Sequence, residues 1–92
     1  MPESTLARYA DQLQAAGYRI AYAYIPGWQG YHAHEQLQVG ASGIMLDHGR
    51  HARPYVVSRE TDDDVICDTA ATLADAIALI RRHYDLPAPE DT

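Results

Sequence analysis

The residues best suited to chemistry crowd into two short runs, Tyr31-His32-Ala33-His34-Glu35 and Asp47-His48-Gly49-Arg50-His51, which place four histidines and two carboxylates within twenty residues. On a strand, His32 and His34 project to the same side. Together with His48 or His51 from the following turn they would offer the three or four imidazole ligands that suit Zn²⁺, and a sensing or hydrolytic role would follow from such a site. The plainer reading is a set of loop histidines that are solvated or bonded to backbone carbonyls. His-x-His is a short pattern, no cysteine accompanies it, and a chain without lysine puts histidine and arginine where others put lysine. No cofactor is expected on that reading; Zn²⁺ at His32, His34, His48 and His51 is the one the pattern admits.

Other chemistries have less behind them. Ser42 lies in Gly40-Ala41-Ser42-Gly43, which lacks the Gly-x-Ser-x-Gly elbow, and no residue is placed by the sequence to act as its base. Cys67 reads as a small buried hydrophobe in mid-strand. The glycines do not fall into phosphate-loop spacing, so nucleotide binding is not expected. The chain is expected not to be an enzyme.

Two further features point to surfaces. Glu60, Asp62, Asp63, Asp64 and Asp68 put five carboxylates into nine residues at an expected hairpin. They form either a solvated turn that discourages edge pairing or a docking face for a partner with a basic surface. Trp28 and Tyr31 lie among glycines where neither a helical nor a strand period claims them. If exposed, they have the composition of a binding hot spot.

The elements that must position these groups follow from periodicity. Ser4 or Thr5 can cap a first helix with Leu6, Tyr9, Ala10 and Leu13 on one face, ended by Gly17. Tyr18–Ile25 alternates as a strand ended by Pro26-Gly27, Trp28–Glu35 is a loop or irregular edge, and Leu37–Leu46 reads as one bulged strand or two short ones around Gly40 and Gly43. Tyr55–Glu60 and Val65–Asp68 form a hairpin. Residues 72–84 carry the strongest pattern: Leu73, Ile77, Ile80 and Tyr84 make one apolar stripe, Thr72 is the cap, and Pro87 is the stop. These spacings predict an α+β fold in the order α-β-β-β-β-α, a small antiparallel sheet of three to four strands with both helices on one face. Residues 1–86 form a single domain, and residues 87–92 are expected to be a flexible tail.

The formal net charge is −6, from thirteen acidic residues against seven arginines. Direct binding of nucleic acid is therefore not expected. No apolar run approaches the ~18 residues of a membrane span, the first twenty residues have no apolar leader segment, and a single cysteine suits a reducing compartment, so the expected location is the cytoplasm. These observations favour a non-enzymatic protein-binding module, an adaptor or inhibitor acting through the acidic hairpin and the aromatic loop. Phage and mobile-element proteins of the anti-CRISPR or anti-restriction kind, which set carboxylates where a nucleic acid would set phosphates, are similar to it in composition. A homodimer that buries a sheet edge or the Trp28 loop is compatible with this reading.

Overall fold

The computed structural model describes residues 4–60 and 63–89. Seven elements follow one another: α1 (Thr5–Ala15), β1 (Ile20–Ile25), β2 (His34–Val39), β3 (Ser42–Asp47), β4 (Tyr55–Glu60), β5 (Val65–Ala70) and α2 (Leu73–Ile80). The strands form one antiparallel meander in the order β1-β2-β3-β4-β5. The expected α+β class holds, but the sheet has five strands instead of three to four. The difference arises at residues 37–46, which form two complete strands. Gly40 takes a left-handed φ of 57°, and Val39 pairs directly with Ser42 across a two-residue turn. The Tyr84 hydroxyl stands over this turn and accepts the Ala41 amide at 2.6 Å, in space that a side chain at position 40 would occupy.

Both helices lie on the same face, α1 over β1 and β2, α2 over β4 and β5. Strand parity explains the layering: Leu37 and Val39, Ile44 and Leu46, Tyr55 and Val57 point into the core, and the residues between them point away. Leu6, Leu13, Ile77 and Ile80 close the core from the helices. Ser4 caps α1 by accepting the Ala7 amide at 3.0 Å, and Thr72 caps α2 by accepting the Asp75 amide at 3.2 Å.

The second helix is shorter than its pattern suggests. It ends at Ile80, and Arg81–His83 form a turn. The Arg59 guanidinium donates to the Leu79 carbonyl at 2.6 Å, satisfying one of the carbonyls that a helix end leaves open, and Tyr84 leaves the stripe to hold the β2–β3 turn. The chain expected to run free from Pro87 lies against α1. Leu86 is buried, Tyr9 donates to the Pro87 carbonyl at 2.9 Å, and Gln12 donates to the Ala88 carbonyl at 3.3 Å. Burial pushes the Tyr9 phenol up to about 12, so it stays a donor across the neutral range. Residues 90–92 lie outside the described residues. No described helix is long and apolar enough to cross a membrane.

The meander gives the sheet two ends. The β1–β2 and β3–β4 loops share the upper end, and the β2–β3 and β4–β5 turns share the lower end.

Candidate binding surface

The face of the sheet away from the helices is covered by no described residue. Its fifteen positions are Ala21, Ala23 and Ile25 of β1; His34, Gln36 and Gln38 of β2; Gly43, Met45 and Asp47 of β3; Val56, Ser58 and Glu60 of β4; and Val65, Cys67 and Thr69 of β5. None of them is buried. Only Asp47 and Glu60 among them carry a formal charge, each at the end of its strand, although 22% of the whole chain is charged. A solvated sheet face ordinarily takes its share of charge, whereas the centres of protein interfaces are depleted of it. Cys67, expected in the core, is exposed here because its parity within β5 turns it outward.

The upper end of this face carries the aromatic loop. Trp28 and Tyr31 exchange both backbone hydrogen bonds, at 3.0 and 2.9 Å, across Gln29 and Gly30, which take consecutive left-handed φ values of 47° and 87°. This is the geometry of the tightest hairpin turn, and it sends both side chains to the same side. They are 69% and 78% exposed. With Ile25, His34, Met45 and Asp47 they border an open hollow of about 530 Å³ that is continuous with the uncovered face. At the opposite corner of the upper end Arg53 is held by Thr69, its Nε donating to Oγ1 at 2.8 Å and its Nη2 to the Thr69 carbonyl.

The acidic residues lie at the lower end. Glu60, Asp63 and Asp64 are exposed around the β4–β5 turn. Asp62 lies outside the described residues. Asp68 does not stand with them. It is on the helix face, where Arg59 reaches it at 3.3 Å. The acidic turn and the aromatic loop are thus separated by the length of the strands, roughly 20 Å.

The four histidines share the upper end but not one centre. His34 is on the uncovered face, His32 rests against the backbone of Gly49, His51 is exposed in the β3–β4 loop, and His48 lies on the helix side. Among the described residues no three His, Cys, Asp or Glu side chains converge as a metal ion requires. His48 instead meets Glu35, with Nε2 2.7 Å from Oε2. Glu35 is only 2% exposed and also accepts hydrogen bonds from the Ser4 and Tyr22 hydroxyls. Burial raises the carboxyl's pKa, but the hydrogen bonds from Ser4, Tyr22 and His48 outweigh it and hold the group below its ordinary range. Ser4 donates to the carboxylate and not to the imidazole, so the cluster is a carboxylate clamp and lacks the nucleophile-to-base order of a triad.

No family model, curated protein or solved structure matches the chain.

Two features were not legible in the sequence: the Glu35 clamp on the helix side and the neutral face opposite it. The clamp joins residues from the helix cap, two strands and a loop, and no local spacing links them. The face does leave a signal, since alternate positions of the five strands are almost free of charge, but reading it requires the strand boundaries and their register.

Proposed function

We propose that this chain is a non-enzymatic protein-binding module, an adaptor or inhibitor whose docking surface is the uncovered sheet face together with the Trp28–Tyr31 loop. The observation that carries this reading is the neutral face itself, terminated by two exposed aromatic side chains on a two-residue turn. A partner that touches both the aromatic loop and the acidic turn must lie along the whole face. Trp28 and Tyr31 then supply the apolar anchors, and Glu60, Asp63 and Asp64 steer a partner with a basic surface toward it. A row of carboxylates at one end suits a groove built for phosphates, so a protein that itself binds nucleic acid is the class of partner this end fits.

The experiment compares capture from native extract by the wild-type chain, by Ser58→Arg on the uncovered face, by Trp28→Ala, and by Ala78→Arg on the exposed side of α2. Loss of the captured proteins with the first two variants and retention with the third is the expected result. Equal capture by all four chains would remove the reading.

A further inference from the structure

We infer that a second copy of this chain covers the uncovered face, with the two sheets packed face to face about a two-fold axis parallel to the strands. The inference rests on the reading of that face as a protein-binding surface and names its occupant.

The register supplies the first argument. Ile20 pairs with Val39, Val39 with Ser42, and Ser42 with Arg59. Arg19 and Glu60, each one position beyond, therefore lie level at the lower rim, and both are exposed. Glu60 is on the uncovered side by its parity in β4, and Arg19, which precedes β1, falls on that side when the alternation of β1 is carried back one residue. Arg19 lies at the β1 side and Glu60 at the β4 side. A two-fold parallel to the strands keeps each row level and exchanges left for right. It sets Arg19 of each copy against Glu60 of the other, with Asp63 and Asp64 behind it. At the upper rim the same rotation carries Arg53 of the second copy over the Trp28 and Tyr31 side chains. Its guanidinium meets two aromatic faces there and the Asp47 carboxylate at the floor of the hollow, where Arg50 stands 3.8 Å from Asp47 as a local competitor.

Shape supplies the second argument. The β1 side of the face is low, with Ala21 and Ala23, and the β5 side is higher, with Val65, Cys67 and Thr69. The two-fold parallel to the strands lays low on high, whereas one perpendicular to them would lay β1 on β1 and leave a gap. Gly43 and Ser58 leave a shallow hollow of about 300 Å³ beside the axis, and the rotation brings Gln38 of the second copy, which stands in the same row, over it. Aligned packing of twisted sheets at roughly 30° is an established solution for two such faces. Five strands at ~4.8 Å and six residues at ~3.4 Å give a face of about 20 by 20 Å, so two faces with their loops bury on the order of 1,000 Å², the lower bound for a specific interface. A reversible dimer is the consequence.

Sedimentation of the full chain from about 10 µM to about 1 mM tests this, a range that spans the weak constants of interfaces this small. Wild type is expected to pass from the 10.2 kDa monomer to a dimer within that range. Ser58→Arg, with an unchanged circular dichroism spectrum, is expected to remain monomeric. Arg19→Glu and Glu60→Arg are each expected to weaken association about tenfold, because the two-fold repeats every like-charge contact, and the two changes in one chain are expected to restore it. A wild-type monomer at every concentration would overturn the inference. A dimer indifferent to Ser58→Arg would overturn it in favour of edge pairing, and a charge swap that does not restore association would overturn the arrangement. If wild type is monomeric while Ser58→Arg still loses the proteins captured from extract, the second copy is refuted and the binding surface stands.

Discussion

Glu35 and His48 meet at 2.7 Å on the helix side of the sheet, one from the start of β2 and the other from the loop after β3, and their contact ties the upper end of the sheet to the cap of α1 through Ser4. A buried carboxylate held by three donors is stabilising only while it is ionised.

Glu35→Gln is therefore expected to lower stability by about 2 kcal/mol at pH 7, the scale of hydrogen bonds to a charged group. The folded pKa lies below the unfolded one, so this contribution is complete above the unfolded carboxyl value and is lost as the pH falls through the folded value. Urea unfolding of both proteins from pH 7 down to pH 3 checks this. The gap between them should persist to about pH 5 and narrow below about pH 4.

Ile77 is 1% exposed at the centre of the α2 stripe. Ile77→Ala is expected to cost about 2–4 kcal/mol through lost transfer energy and the cavity left behind. In a domain of this size that is a large share of the total, and a thermal melt would show a fall of about 8–30 °C.

These two residues also mark how far the fold was legible. The α2 stripe was readable because Leu73, Ile77 and Ile80 repeat at helical spacing and Thr72 caps them, all within one local segment. Its end was not, because the stop read from the sequence, Pro87, lies well beyond Ile80, and the Leu79 carbonyl at the true end is met by Arg59 from β4. The strand count was ambiguous because Gly40 and Gly43 both interrupt the pattern, and only the pairing of Val39 with Ser42 shows which one makes the turn. That Trp28 and Tyr31 belong to no helical or strand period was legible from their setting among glycines, whereas their exposure and their alignment with the neutral face depend on tertiary register.

The acidic turn and the aromatic loop should separate kinetically. Asp63→Asn with Asp64→Asn is expected to leave the melting temperature within about 2 °C of wild type, since exposed turn carboxylates contribute little. It should slow association with a basic partner, and that slowing should fade as salt screens charges over ~8–10 Å. Trp28→Ala removes apolar anchor area. Its loss of ~2 kcal/mol in binding should appear in the dissociation rate and be nearly independent of salt. Surface plasmon resonance at two ionic strengths distinguishes the two signatures.

The uncovered face has a built-in reporter, because Cys67 is the only cysteine of the chain and stands exposed on it. The most direct measurement is the rate of Cys67 alkylation by a maleimide, in dilute purified protein and in intact cells that make the chain at its natural level. A Cys67→Ser, Ala78→Cys variant serves as the control on the opposite side of the molecule. Rapid alkylation of Cys67 is expected in dilute solution, with a slowing of about tenfold or more in cells, where a partner or second copy covers the face, and no comparable slowing at position 78. Alkylation of Cys67 as fast in cells as in dilute solution would show the face to be open where the protein works and would contradict the account.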